Sequence, residues 1–505
     1  MKKHLIFLLA FSLIVIFTGC NKIPERPPVI PVEDFFRKPE KVSFGLSPDG
    51  TKIAYMGPYK EKMNVYYYPL DADSAIRLTN ETDRSIYAYS WVNNNTILYF
   101  KDVGGDENMQ IFAVNVNDGT TSVVFAKEGV RASPLDYMLE NPNEILITTN
   151  ERNPQVFDPY RFNLETGEMT LLAENPGDIV GWFTDHDGKL RIAVATDGVN
   201  QRLLYRDTEE EEFKTLKNLS FKENFSPVLF DFENENIYAS SNLGRDKDAV
   251  VLYDPQTDTE LELVFQNDEV DVSNLGYSKK REVITHANYY TDKLQRHFFD
   301  AETEELYQWL SEKLPGYELS VTSENLDEDK MIILARNDRA RGTYYLLDAE
   351  SKDLTLIHQI TPWLNPEHMA EMRPIKFESR DGLTIHGYLT VPKGVEAMDL
   401  PVVVNPHGGP WARDYWGFNP EVQMLANRGY AVLQMNFRGS TGYGREFWEI
   451  SFKEWGRSMQ DDITDGVNWL IEQGIADPDR VAICGGSYGG YATLAGLAFT
   501  PDLYA

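Results

Sequence analysis

From about residue 41 to residue 362 the chain repeats itself. A strand rich in Tyr, Phe, Val or Leu runs into a polar turn and then into a second short strand. The turns read YPLD at Tyr68, NVND at Asn115, NLET at Asn163, DTEE at Asp207, DPQT at Asp254, DAET at Asp300 and DAES at Asp348. Successive starts lie 47, 48, 44, 47, 46 and 48 residues apart. A second marker, a turn followed by an apolar strand, precedes them, as in SPDGTKIAY from Ser47, NNNTILYF from Asn93, DHDGKLRIAV from Asp185 and DEDKMIILA from Asp327. Asp, Asn and Gly suit such turns because they tolerate left-handed or side-chain-bonded backbone. A period near 46 residues built from short strands and polar turns is that of propeller blades with four strands each. Seven markers imply seven blades. A β-solenoid is the competing all-β reading, but solenoid coils are usually shorter.

The repeat offers two candidate sites, and each has a plainer reading. DHDG at Asp185 could bind calcium, yet a simple turn explains it as well. The acidic run 209–212 could grip a peptide's amino terminus, yet such a run at a turn is ordinarily a solvated edge.

Rhythm and composition change near Trp363. Residues 375–392, IKFESRDGLTIHGYLTVP, give two alternating strands around an RDG turn. An apolar strand, LPVVVN, then ends in Pro406-His407-Gly408-Gly409-Pro410. A helix over NPEVQMLANRGY and a strand over AVLQMNFRGS come next. The segment 458–474 carries Ile463, Val467, Leu470 and Ile471 at helical spacing. The strand VAIC, closed by Cys484, leads into Gly485-Gly486-Ser487-Tyr488-Gly489. Alternating strands and helices predict a largely parallel sheet with helices on both faces. The G-x-S-x-G sequence after a strand and before small residues (Gly490, Ala492, Ala495) is the pattern of a sharp turn that presents a serine nucleophile. The HGG stretch, upstream and also after a strand, can turn backbone amides toward a reacting carbonyl. The Tyr488 amide, with one from Gly408 or Gly409, would form the oxyanion hole. For His407 the reading is loop shaping, since a base there contradicts the chain order of serine, acid, histidine.

These motifs resemble the prolyl oligopeptidase family of serine peptidases, a β-propeller joined to an α/β-hydrolase domain. DFFRKPEKVSFGLSPDGTKIAY, SRDGLTIHGYLTVP, HGGPWARDYWGFN, NFRGSTGYG, DDITDGVNWLI and GGSYGGY match it in order. The GGSYGG and HGGPW forms are closer to the acylaminoacyl-peptidase and dipeptidyl-peptidase-like branch. The resemblance implies Ser487 as nucleophile, Tyr488 and the His407-Gly408-Gly409 loop at the oxyanion, and hydrolysis of short peptides through an acyl-enzyme, with the propeller restricting access. In this family the acid and the histidine come after the nucleophile, over a stretch on the order of a hundred residues. All eight histidines here (His4, His186, His286, His297, His358, His368, His386 and His407) precede Ser487. The expectation is therefore a truncated sequence of a longer enzyme. Its sheet would lack its last strands and keep an unpaired edge.

The first residues read as an export signal. Lys2 and Lys3 precede an apolar run over 5–17, and Thr18-Gly19-Cys20 comes directly after it. Thirteen residues fall short of the ~20 that cross a bilayer as a helix. FTGC resembles a bacterial lipoprotein signal, which implies acylation of Cys20 at the mature N-terminus. Cys484 is the only other cysteine, so no disulfide framework is expected; it reads as a buried strand thiol. The prolines of NKIPERPPVIPVEDFF suggest an extended tether.

The net charge is −31, from 79 acidic and 48 basic residues, and repels phosphate backbones, so nucleic-acid binding is not expected. No metal or cofactor motif is read. The expected organisation is a signal at 1–19, a tether at 20–40, a seven-bladed propeller at 41–362 and the first part of an α/β-hydrolase domain at 363–505. The expected protein is an exported, membrane-anchored serine peptidase acting on short peptides. The competing readings are a non-catalytic propeller lipoprotein that binds peptides or glycans, and an esterase on the same scaffold.

Overall fold

The computed structural model describes residues 25–72, 74–139 and 141–504. Seven antiparallel sheets succeed one another along the chain, at 42–77, 88–125, 132–171, 179–219, 225–265, 272–298 and 318–359. They are blades 1 to 7 of the expected propeller. In each the strands pair in sequence order. The second strands, such as Thr96–Lys101 and Glu144–Thr149, are buried through most of their length. That explains their unbroken apolar runs: a neighbouring blade covers each face. The outermost strand Thr259–Phe265 is largely exposed and alternates glutamates with apolar residues.

Blade 6 departs from the pattern. It has three strands, and the DAET segment opens a helix, α2 (Ala301–Lys313), instead of a turn into a fourth strand. The Asp300 side chain accepts the Thr303 N–H at 2.9 Å and caps this helix. Tyr307 and Leu310 then pack against Leu319, Ile333 and Leu347 of blade 7.

Among the described residues no strand is shared between blades 1 and 7, so side-chain packing and loop hydrogen bonds close the ring. Phe44 and Tyr55 cluster with Ile332, Tyr344 and Ile360. The Leu46 N–H donates to Ser323 Oγ at 2.9 Å, and the Leu326 N–H donates to the Pro48 carbonyl at 2.9 Å.

The expected tether is not free over its second half. Residues 28–37 form a strap across the second domain, with a one-turn helix α1 (Val32–Phe36). The Ile30 N–H donates to Asn427 Oδ1 at 2.9 Å, and Asn427 Nδ2 donates to the Pro28 carbonyl at 3.0 Å. Phe35 is buried in a cluster with Leu364 and Met369. The signal segment and Cys20 lie outside the described residues.

The second domain is a five-stranded sheet: β1 (Met372–Glu378), β2 (Thr384–Thr390), β3 (Leu400–Val404), β4 (Ala431–Asn436) and β5 (Ala476–Ile483). Its order is β1-β2-β4-β3-β5. The sheet is mixed: β1–β2 and β2–β4 pair antiparallel, and β4–β3 and β3–β5 pair parallel. The expectation of a largely parallel sheet holds only for the half that leads to the serine. Among the described residues no strand pairs with the outer side of β5.

Helix α3 (Pro420–Asn427) packs on one face through Val422, against Tyr388 and Val432. Helices α5 (Ser458–Glu472) and α6 (Tyr488–Phe499) cover the other, where Ile463, Val467 and Ala492 meet Val402 and Leu433. A short helix not expected from the sequence, α4 (Arg445–Glu449), lies between β4 and α5.

Candidate active site

At the end of β5 the chain must reverse sharply beneath the next helix, and glycines make that possible. A β-carbon on Gly485 would stand 2.5 Å from the Pro406 carbonyl oxygen and 2.9 Å from the Gly489 backbone. One on Gly489 would collide with the same Pro406 oxygen. Gly486 has open space around it, so packing does not require glycine there. The turn is pinned on both sides. The Cys484 N–H donates to the Val404 carbonyl at 2.9 Å, Asn405 Nδ2 donates to the Cys484 carbonyl at 2.9 Å, and the Gly489 N–H donates to the Gly486 carbonyl at 2.8 Å. Cys484 itself is partly exposed rather than buried, because it sits one residue past the strand. Burial still raises its pKa.

Ser487 occupies the apex, with φ 55° and ψ −120°. Side chains rarely adopt this backbone, and holding one there costs about 1–3 kcal/mol. The side chain is exposed, and among the described residues its Oγ makes no hydrogen bond. The Tyr491 N–H donates to the Ser487 carbonyl at 3.1 Å, fixing the start of α6.

The HGG loop lies against this apex. A β-carbon on Gly408 would be 3.3 Å from the Gly486 carbonyl oxygen and 3.4 Å from Ser487 Cβ, so glycine keeps the approach open. Gly409 has φ 126°. Among the described residues the N–H groups of Gly408, Gly409 and Tyr488 make no hydrogen bond.

His407 does not face the serine with a spare nitrogen. Its Nδ1 lies 2.7 Å from the Gly408 carbonyl oxygen and its Nε2 2.9 Å from Ser440 Oγ. Its ring stacks on Phe437 at 4.4 Å. Burial lowers its pKa to about 4, against the raising effect of the Gly408 carbonyl. Nδ1–H donates to the Gly408 carbonyl, whereas Ser440 Oγ lies within reach of both Nε2 and the Phe437 carbonyl, at 2.9 and 2.7 Å, with one proton for the two. Tyr488 is buried, its hydroxyl 3.7 Å from Met459 Sδ and its ring beside Phe437 and Trp455.

Behind the loop, Arg438 anchors the strand β4 end. Its guanidinium donates to both Asp462 oxygens, at 2.8 and 2.7 Å, and to Asp381 at 2.8 Å. Bidentate pairing of this kind fixes direction as well as distance.

The propeller reaches the same loops. Arg413 donates to the Tyr290 and Thr291 carbonyls of blade 6, at 3.2 and 3.1 Å, and to Tyr443 Oη at 2.9 Å. From blade 5, Asp246 accepts the Glu446 N–H at 2.7 Å on Oδ1 and the Arg445 N–H at 2.9 Å on its carbonyl, capping α4 from another domain. Lys222 pairs with Glu449 at 2.7 Å. Between the domains is a cavity of about 400 Å³, lined among others by Phe221, Asn224, Asp271, Tyr290, Arg413 and Trp448. Half-exposed Trp411 packs on Trp448 and Phe452 beside it.

All of these contacts come from turns between second and third strands or from links between blades. The turns that mark the repeat lie at the other end of the strands. The run 209–212 therefore faces away from Ser487, and its members are engaged locally: Glu209 Oε1 accepts the Leu190 N–H at 3.1 Å, and Arg206 donates to the Glu209 carbonyl at 3.0 Å. At Asp185, one oxygen accepts the Asp187 and Lys189 N–H groups and the other Arg191, so DHDG is a turn. Among the described residues no cluster of side chains is arranged to hold a metal.

The comparisons with known proteins agree with this fold. Residues 416–505 match the family model described as Prolyl oligopeptidase family. Dipeptidyl aminopeptidase BIII of Pseudoxanthomonas mexicana is 32% identical over 486 residues, covering 93% of this chain and 70% of that protein. The chain belongs to the prolyl oligopeptidase family. Dipeptidyl peptidase family member 6 of Caenorhabditis elegans is 29% identical over 517 residues, 94% of this chain and 70% of that one. The fold matches that of a prolyl endopeptidase with a TM-score of 0.72 at 16% identity, over 94% of this chain and 72% of the other. A puromycin-hydrolysing peptidase of Mycobacterium tuberculosis matches with a TM-score of 0.71 at 17% identity, over 95% and 79%. As a member of this family, the protein is a serine peptidase. Arg413, Asp246 and α4 were not singled out from the sequence. Arg413 does lie inside the HGGPWARDYWGFN stretch, but its propeller partners, Tyr290 and Thr291, are over a hundred residues away.

Proposed function

We propose that Ser487 is the nucleophile of a peptidase that cleaves short peptides through an acyl-enzyme. The observation that carries this reading is the apex itself: an exposed serine at φ 55°, with the Gly408 backbone against its β-carbon. In the reaction Ser487 Oγ gives its proton to a general base and attacks the peptide carbonyl. The negative charge that develops on the carbonyl oxygen meets the Tyr488 N–H and one N–H of Gly408 or Gly409. The C–N bond then breaks, the amine leaves with the proton, and water hydrolyses the ester at Ser487. His407 is not that base, since its two nitrogens are engaged by the Gly408 carbonyl and Ser440 Oγ and neither faces Ser487. The family's chain order of serine, acid, histidine puts the base and the acid downstream of Ser487.

The cavity under blades 5 and 6 suits a short extended peptide, and the propeller excludes folded chains from it. The two relatives named for dipeptidyl activity favour release of dipeptides over release of acylated residues. The protein is also proposed to be exported and acylated at Cys20. Among the described residues no helix is long and apolar enough to cross a membrane.

A fluorophosphonate tests the nucleophile. We expect one label, mapped by mass spectrometry to Ser487, and loss of both label and dipeptidyl-anilide hydrolysis in Ser487→Ala. Labelling elsewhere, or hydrolysis that survives the substitution, overturns the assignment.

A further inference from the structure

The strap that precedes the propeller buries one side of itself and leaves an apolar side uncovered. Phe35 is 1% exposed, whereas Val29, Val32 and Phe36 are 72%, 45% and 52% exposed. Val32 and Phe36 stand four residues apart in α1 and so share a face, away from Phe35. Arg428 Nη2 donates to the Ile30 carbonyl at 2.8 Å, which adds to the Asn427 bonds and holds this segment on α3. The face is therefore fixed relative to the hydrolase domain.

Isolated exposed apolar side chains need no explanation. These three differ in where they sit. Only eight residues separate Cys20 from Val29, and at ~3.3–3.6 Å per extended residue such a stretch reaches roughly 30 Å at most. An acyl chain on Cys20 would hold α1 within that distance of the lipid. Charge favours the same face. Residues 21–41 carry five basic side chains (Lys22, Arg26, Arg37, Lys38, Lys41) and four acidic ones (Glu25, Glu33, Asp34, Glu40), while the whole chain stands at −31. Anionic headgroups repel the rest of this surface and spare the strap.

We infer that in the lipidated enzyme Val29, Val32 and Phe36 rest on the bilayer surface, so that the hydrolase domain is held beside the membrane by the α1 side of α3. This inference rests on the acylation of Cys20 proposed above. Trp363 Nε1 donates to the Asp34 carbonyl at 2.9 Å, so the chain's exit from blade 7 lies on this same side. The contacts of Lys222 and Asp246 with α4 tie the hydrolase domain to blade 5 instead. The substrates that reach the cavity are then dissolved peptides, not membrane-embedded ones.

The test uses the full-length lipidated protein in phosphatidylethanolamine–phosphatidylglycerol vesicles, in a Cys484→Ser background. A bimane label is placed by Val32→Cys, Phe36→Cys, Leu497→Cys or Asp118→Cys, and acyl-chain spin labels quench it. Leu497 represents the exposed apolar side of α6, and Asp118 the far turn of blade 2. About a twofold or larger loss of emission is expected at positions 32 and 36, with none at 118 or 497. Quenching at 497 in place of 36, or equal quenching at all four sites, overturns the inference. The mass of the N-terminal peptide separates the two layers. An unmodified Cys20 overturns the anchoring and this orientation together, whereas an acylated Cys20 with position 36 unquenched overturns the orientation alone.

Discussion

Gly489 sits directly beneath the Pro406 carbonyl oxygen, with no room between them for a β-carbon. Pro406 precedes the HGG stretch, and Gly489 is the second residue of α6, just after the serine. Their contact sets how closely Ser487 and the Gly408-Gly409 loop can approach each other.

Gly489→Ala should therefore be severe and Gly486→Ala mild. The first forces backbone against backbone and should cost at least about 3 kcal/mol, as overpacking at an immovable neighbour does. The second meets nothing within contact distance and should stay within about 1 kcal/mol. Urea unfolding and the fluorophosphonate labelling rate measure both. Equal tolerance of the two substitutions would contradict the packing described.

Acidification should loosen the HGG loop. Burial lowers the His407 pKa to about 4, below its ordinary 6.5. Between those values the unfolded chain takes up a proton that the folded chain refuses, so stability falls as pH drops from 6.5 toward 4. At about 1.4 kcal/mol per unit the contribution is on the order of 3 kcal/mol. His286 and His386 are lowered to about 4 in the same way. His407→Gln should thus lose less stability than the parent between pH 7 and pH 4.5, as read from urea midpoints.

Ser440→Ala should leave His407 Nε2 buried without a partner. Such a loss costs about 1–3 kcal/mol. Because His407 shapes the HGG loop, we expect turnover to fall about tenfold, the worth of some 1.4 kcal/mol at the transition state, with KM little changed. A variant that raises KM alone would place Ser440 in substrate binding instead.

The seam between the domains should respond to Asp248. Its carboxyl is pushed up to about 6 by burial and then by the charge of Asp271, and one of its oxygens is buried without a partner. A carboxyl raised in the folded state stabilises below its unfolded value of 3.8, and that stability is lost as pH rises through 6. Asp248→Asn should therefore raise the unfolding temperature at pH 8, by the equivalent of about 1–2 kcal/mol, and change little at pH 4.

The sequence made the blades legible because their turns need Asp, Asn or Gly at fixed places. It misled at blade 6 for a physical reason. Asp300 accepts the Thr303 N–H and Asp348 accepts the Ser351 N–H, both at 2.9 Å, so a helix cap and a strand turn begin with the same bond. The residues after that bond decide between them: Leu306, Tyr307 and Leu310 recur with helical spacing, whereas Leu354, Leu356 and His358 alternate. The serine turn was legible because its glycines are local necessities. The strap was not, since its prolines suggest an extended chain and its anchors, Asn427 and Arg428, lie nearly four hundred residues away. Nor could α4 be foreseen, for Asp246 caps it from a separate domain.

The turns that announce the repeat all point away from the hydrolase domain. Evolution can lengthen, shorten or recharge them while leaving the reaction untouched, and an experimenter can do the same. The turn at Asn117, Asp118 and Gly119 is an attachment point for a tag or a reporter domain that would leave the cavity between the domains undisturbed.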